Sequence, residues 1–288
     1  MERYINCIAH CSSDGNLLIG DTHTALFDCG MAFCANDTMQ NVKDALGGKQ
    51  LDYIFITHTH YDHIGALPFF RQEWPQVRVV SSEIGAGVLV KNTPRRIFRE
   101  FSEVAAKFHG TSLSDAYNVD AFYADLVVKD KDIVSLGGIS VEVLETPGHT
   151  KDALSFFIPE LELLIVNETP GVLMPDGYLY PCYLIGYFDT INSVKKCREI
   201  QYKFLSLPHT GIVSEEIATG YFDRALENNT ACRDFIADMK SKGLSEEEML
   251  AMFTEKYSNK TLLKYQPIEA FVANARATIA CTLRDLSD

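Results

Sequence analysis

Six residues constrain this chain more than any others. They are His58-Thr59-His60-Tyr61-Asp62-His63, set between the apolar runs Tyr53-Ile54-Phe55-Ile56 and Ile64-Gly65-Ala66-Leu67-Pro68. The first run is too short for a helix and is dominated by β-branched and aromatic residues, so it reads as a buried strand. Gly65 is expected to turn the chain sharply before a helix opens. Three imidazoles and a carboxylate therefore crowd the loop at a strand's C-terminal end. Such donors suit zinc, iron or manganese, and four exceed what one open catalytic ion takes from a single loop. His58 and His60, two residues apart, can share one ion, leaving Asp62 and His63 to face a second.

His-x-His-x-Asp-His after an apolar strand resembles the signature of the metallo-β-lactamase-fold hydrolases, which include glyoxalase II, lactonases, RNA-processing nucleases and flavodiiron proteins. The order of motifs carries the resemblance across residues 1–215. It implies an α/β fold, an αββα sandwich of the metallo-β-lactamase type. One fold hosts many chemistries, so the resemblance leaves the substrate open. Further positions match by order. Asp28 ends the apolar run Thr24-Ala25-Leu26-Phe27, and the resemblance gives it the task of orienting a ligand; a turn or cap carboxylate is the alternative. Thr146-Pro147-Gly148-His149-Thr150 supplies the family's third histidine, and Leu207-Pro208-His209 its last. Between them these hydrolases place a Gly-Asp whose carboxylate bridges two ions, but this chain has Asn167-Glu168. Glu168 offers the same carboxylate on one more methylene, so it can bridge, bind one ion, or leave the second site weak.

The ligand set that the resemblance implies is His58, His60 and His149 for one ion, Asp62, His63 and His209 for the other, and Glu168 between them. Two divalent metal ions per chain are expected, zinc first, with iron or manganese as alternatives. Two cations sharing a water bring its pKa to about 7, giving a hydroxide that attacks a carbonyl carbon. Asp62 is the candidate catalytic residue, binding metal and orienting the nucleophile. A thiolate or carboxylate leaving group needs little protonation, which favours a thioester or other ester of a small molecule. The competing class is a di-iron redox protein of the flavodiiron type. Those proteins carry Glu where His60 stands, and a flavodoxin module usually follows. A third class is a binding or signalling protein with a degenerate site, which the full ligand set opposes and Glu168 leaves open.

Charge narrows the partners. A formal net charge of −13 argues against nucleic acid, whose phosphates need a Lys/Arg surplus, so a small-molecule substrate is expected instead. With no apolar run of membrane-spanning length and no signal-like N-terminus, no membrane association is expected. Eight cysteines without CxxC pairs suit reduced core thiols in a cytoplasm.

Elsewhere strands and helices alternate as in α/β proteins. Strands are expected over residues 4–8, 16–19 (after a Ser-Asp-Gly turn) and 24–27, and a helix over 36–46 capped by Asp37 or Thr38. A helix over 67–74 and a strand over 77–80 follow. Residues 83–125 are less regular. Apolar positions 97, 98, 101, 104 and 105 give helical spacing over 95–108, a segment that can cap the site or lie peripherally. Residues 126–144 read as a three-strand meander and 155–166 as a hairpin. The aromatic stretch 170–188 is a candidate substrate wall, with core packing as the alternative. Asp189 is expected to cap a helix through about 203. The chain divides into a catalytic domain, 1–213, and a C-terminal helical extension, 214–288, with helices over 216–242, from a capping box at Ser245, and over 267–284. These helices can pack over the site or at a homodimer contact. The tail lacks the Arg/Lys cluster that glutathione carboxylates require. His10, His23 and His109 are read as ordinary histidines.

Overall fold

The computed structural model describes residues 3–7 and 15–287. The expectations for Ile8, His10 and most of the Ser-Asp-Gly turn lie outside these residues. Among the described residues two six-stranded sheets pack face to face. The first contains β1 (Tyr4–Asn6), β2 (Asn16–Ile19), β3 (Thr24–Phe27), β4 (Tyr53–Phe55), β5 (Arg78–Ser82) and β6 (Leu126–Val128), in that order. The second contains β7 (Ile133–Ser135), β8 (Ser140–Glu145), β9 (Leu154–Ile158) and β10 (Leu163–Ile165). After a small hairpin, β11 (Val172–Leu173) and β12 (Leu179–Tyr180), it is completed by β13 (Phe204–Leu207) and β14 (Gly211–Ile212).

Side-chain alternation decides which face meets what, because successive residues of a strand point to opposite sides. Leu17, Leu26, Ile54 and Val79 turn outward onto α1 (Ala35–Leu46), α3 (Leu67–Glu73) and their neighbours. Leu18, Ala25, Phe27, Phe55 and Val80 turn inward against Val141, Val143, Phe156 and Leu163 of the second sheet. The rings of Phe27, Phe55 and Phe156 meet there with centroids 5.1–5.4 Å apart. On the far side Leu144, Leu164 and Leu205 pack on α6 (Tyr187–Arg198) and the start of α8 (Tyr221–Ser241). The layers are therefore helix, sheet, sheet, helix. Strands β3 to β6 are parallel and joined by helices, among them α2 (Tyr61–Ile64), α4 (Glu83–Leu89) and α5 (Asn92–Phe108). The C-terminal ends of β3 and β4, with those of β8, β10 and β13, carry the motif loops. The remaining helices are α7 (Glu215–Ala218), α9 (Glu246–Tyr257), α10 (Leu262–Tyr265) and α11 (Ile268–Asp285). Helices α8, α9, α10 and α11 enclose an apolar cluster built on Tyr180, Tyr183, Phe253 and Phe271. No described helix is long and apolar enough to cross a membrane.

Several expectations change. Strand β6 does not open a meander: it pairs in parallel with β5, and the chain crosses to the second sheet before β7. Helix α1 has no side-chain cap, because a 3-10 turn over Ala32–Cys34 leads into it and places Asp37 and Thr38 inside. Helix α4 was concealed by two glycines and is capped instead by Ser82. The stretch 216–242 is broken at Gly220, whose φ of 73° lies in the left-handed region. Asp189 lies within the first turn of α6, which starts at Tyr187 and ends at Arg198. Gly65 makes no sharp turn. Its backbone is helical, and a Cβ there would come within 2.3 Å of the Tyr61 carbonyl oxygen and 2.8 Å of the Ala32 nitrogen. The capping box at Ser245 and Glu248 is present.

Phe156 joins the two sheets at their seam, so Phe156→Ala should destabilise the protein by about 3–5 kcal/mol. Chemical denaturation of the wild type and variant, compared at unchanged m-value, measures this; a loss below about 1 kcal/mol would contradict the assigned packing.

Candidate metal centre

The seven residues singled out by sequence converge at one end of the seam. Two groups form, His58–His60–His149–Glu168 and Asp62–His63–Glu168–His209, and within each group the donor atoms all lie within 4.8 Å of one another. Glu168 belongs to both. Its Oε2 lies 2.6 Å from His149 Nε2 and 3.6 Å from His58 Nε2. Its Oε1 lies 2.9 Å from His209 Nε2 and 4.0 Å from His63 Nε2. One oxygen thus faces each histidine group. Asp62 Oδ2 stands 3.8 Å from both His63 Nε2 and His209 Nε2.

The loops are pinned across the sandwich. The backbone nitrogen of Leu154 in the second sheet donates to the Thr57 carbonyl at 2.7 Å, and Thr59 N donates to Asp152 Oδ2 at 2.9 Å. Cys29 N and Gly30 N both donate to the carbonyl of His63, holding the motif against the end of β3. Gly148 passes where a Cβ would meet Thr169 Cγ2 at 2.4 Å and Thr190 Oγ1 at 2.5 Å, which explains the glycine before His149. His209 sits in the left-handed region at φ 59°, as does Asp28 at φ 57°. Backbone strain of this kind in residues other than glycine gathers at functional sites.

Asp28 orients a histidine of each group. His63 Nδ1 donates to Asp28 Oδ2 at 2.9 Å, which leaves Nε2 to face the site. Thr57 donates from its backbone nitrogen to Oδ1 at 2.8 Å and from its hydroxyl to Oδ2 at 2.6 Å. With that hydroxyl proton committed, Thr57 Oγ1 accepts from His58 Nδ1 at 3.1 Å. His58 Nε2 is consequently a bare lone pair, buried and without a hydrogen-bond partner. His149 Nδ1 donates to the Cys182 carbonyl at 2.7 Å, again directing Nε2 inward, where it lies 2.9 Å from His60 Nδ1. Of the two readings of Asp28, the turn carboxylate gives way to the orienting one.

Electrostatics hold two of the imidazoles in their neutral form. Burial, then the neighbouring imidazoles, push His58 well below the usual imidazole range. Burial, then His149, bring His60 down to about 4. Neutral imidazoles are the metal-binding form. Burial opposes charge on His149 and Glu168 as well, but their mutual contact outweighs it, holding His149 well above its ordinary value and Glu168 well below. A buried orphan nitrogen, convergent imidazoles and two carboxylates make a donor set that fits two divalent ions.

A cavity of about 320 Å³ opens from these groups. Ile97, Phe98 and Phe101 of α5 line one side, and Leu262, Tyr265 and Ala270 of α10 and α11 line another. Leu173, Met174 and Tyr180 come from the hairpin. Both the 83–125 segment and the C-terminal helices therefore cover the site, and the 170–188 stretch supplies a wall as well as core. Sequence reasoning missed Thr57, Asp152 and Cys182, whose roles pass through hydrogen bonds that no motif spacing announces. His23 and His109 stay outside the site; His109 ends α5 and stacks on Phe33.

Residues 11–170 match the family model described as the Metallo-beta-lactamase superfamily. A metallo-beta-lactamase fold-containing protein of Sulfurisphaera tokodaii is 26% identical over 219 residues, 73% of this chain and 77% of that protein. A crystal structure of an archaeal superfamily protein from Sulfolobus tokodaii superposes with a TM-score of 0.58 at 23% identity, covering 75% of this chain and 79% of that one, a likeness of fold. Glyoxylase B2 of Dictyostelium discoideum is 26% identical over 203 residues, 66% of this chain and 63% of its own length. A putative diflavin flavoprotein of Synechocystis is 23% identical over 272 residues, 93% of this chain but 45% of the relative.

Asp28→Asn keeps the shape of the side chain and loses its charge and one acceptor. Metal affinity should fall about 10- to 100-fold. Equilibrium dialysis against zinc checks this, and unchanged affinity at both sites would remove Asp28 from the role assigned above.

Proposed function

The chain belongs to the metallo-beta-lactamase superfamily, and from that premise we propose that it is a dinuclear metal-dependent hydrolase acting on a thioester or other ester of a small molecule. The observation that carries this reading is Glu168, whose two oxygens each face a different histidine group. His58, His60 and His149 would hold one ion, and Asp62, His63 and His209 the other. When bound, two divalent ions supply Lewis acidity and bring the pKa of a shared water to about 7. The residues of the chain do the rest. Asp28, through His63 and Thr57, keeps ligand nitrogens turned inward. Asp62 stands at the cavity surface, where its carboxylate can hold a nucleophile's proton and direct the attack. The apolar walls exclude water from the carbonyl under attack, which strengthens every charge interaction there.

Zinc is the first choice of metal, because imidazole and carboxylate donors with open coordination suit it. A redox reading is favoured by one observation: the diflavin relative aligns over 93% of this chain. His60 weighs against it, because its Nδ1 lies 2.9 Å from His149 Nε2 and makes the first group all-imidazole apart from Glu168. Iron-loaded protein that reduces oxygen or nitric oxide and hydrolyses no ester would establish the redox reading instead.

Two substitutions test the hydrolase. Glu168→Gln removes the negative charge between the two groups and should empty at least one site, lowering the metal content measured after reconstitution from two ions per chain toward one. Asp62→Asn, assayed at matched metal content, should lower kcat by at least about 100-fold while KM changes little, because the carboxylate acts on the transition state rather than on uniform binding. Full dinuclear occupancy in the first variant would sink the bridging role, and equal kcat in the second would sink the catalytic one.

A further inference from the structure

The cavity has two chemically different ends. Its inner end is made of the histidines and carboxylates described above. Its outer end is apolar, framed by Ile97 and Phe101 on one side and Leu262, Tyr265 and Ala270 on the other. No lysine or arginine is among the described residues that line it.

Lys264 of α10 stands between Leu262 and Tyr265, exposed and outside the lining, and the arginines of α5 and α11 are committed elsewhere. On α5, Arg95 donates to the carbonyls of Leu89 and Phe122 and pairs with Asp120. Arg99 donates to the Tyr117 carbonyl, and Arg96 pairs with Glu100. On α11, Arg276 makes two contacts with Glu247. Ile97 and Tyr265 are 38% and 40% exposed, so apolar surface continues out to the water at the mouth. The remaining polar groups at this end, Gln266 and Asn274, are neutral.

A negative charge on the reacting end of a substrate can be met by the metals. One at the far end would enter an apolar space with no cation in its lining to receive it, which costs a carboxylate far more than it costs a methyl group. We infer that the substrate carries an uncharged, apolar acyl group, an unbranched aliphatic chain or a single aromatic ring, whose far end lies between α5 and α10–α11. The inference rests on the hydrolase reading for the identity of the reacting bond alone. It separates this chain from enzymes whose substrates carry a carboxylate at the end remote from the reacting carbonyl.

Binding can be measured without turnover. On zinc-loaded protein, a linear methyl ketone and the keto acid of equal length, carboxylate at the far end, are compared by calorimetric titration. The ketone should bind at least about tenfold more tightly, and equal or reversed affinities overturn the inference. Ala273 lies on the lining face of α11 and is exposed, so Ala273→Lys offers a cation at the mouth with little effect on folding. It should narrow the gap about two- to fivefold, the scale of an exposed ion pair. Ile97→Lys supplies the same charge from the opposite lip if the first variant folds poorly; an unaltered gap in a folded variant overturns the placement. Turnover adds a second reading: kcat/KM for acyl thioesters should rise about threefold to fourfold per methylene from acetyl to hexanoyl and fall for adipoyl. If no ester or thioester is hydrolysed, the hydrolase reading falls while the ketone comparison still decides this one. If adipoyl is preferred over hexanoyl, this inference falls and the hydrolase reading stands.

Discussion

A carboxylate removed from water must be met by donors or cations on both oxygens, or it takes up a proton. Glu168 is 6% exposed, and both its oxygens are engaged, one by His149 and the other by His209. That requirement ties the two halves of the sandwich together. His58, His60, Asp62 and His63 arrive from the end of β4 in the first sheet, whereas His149, Glu168 and His209 arrive from β8, β10 and β13 in the second. Neither sheet alone completes a group. The backbone bond from Leu154 to Thr57 and the Thr59–Asp152 contact fix the distance between them, so the site exists only where the sheets are correctly docked.

Much of this was legible in the sequence because the signals were local. The alternation of Leu17 with Leu18, and of Ile54 with Phe55, assigns each strand two buried faces, one to the helices and one to the opposite sheet. The four motif residues and the order of the distant histidines carried the site, and the seven residues meet as their order implied. The failures were equally physical. Strand β6 looks like the first of three neighbouring strands, yet sheet membership depends on which edge a strand reaches, and Leu126–Val128 reaches β5. Helix α4 holds Gly85 and Gly87, which depress helix propensity, but Ser82 caps it and Leu89 is buried beneath it. Gly65 shows the limit of reading glycine as a turn. What excludes a side chain there is the close approach of two backbone segments, visible only in three dimensions.

The walls of the cavity illustrate a different limit. Composition marked 97–101, 170–188 and the C-terminal helices as apolar, but an apolar face that lines a cavity and one that packs in a core have the same periodicity. Tyr180 shows the overlap, since it lines the cavity and belongs to the cluster with Phe271. The same residues thus pack against the C-terminal helices and shape the space above the histidine groups. Stability of the tail and the form of the binding site are therefore coupled through shared packing rather than through any hinge.

The departure at residue 168 can now be argued from its neighbours. Asn167 donates to Thr146 Oγ1 at 2.6 Å and to the Leu154 carbonyl at 3.1 Å, and accepts from Thr169 N at 2.7 Å. Thr169 in turn accepts from His149 N at 3.1 Å and donates to the Thr146 carbonyl. These bonds clamp the backbone on both sides of residue 168 to the loop that carries His149. With the backbone held, side-chain length decides where the carboxylate ends. Removing one methylene withdraws it by about 1.5 Å, the length of a carbon–carbon bond. Contacts of 2.6 and 2.9 Å would then open beyond hydrogen-bond reach unless the clamp yields. Glutamate is therefore the carboxylate whose length matches this loop as the Asn167 network holds it.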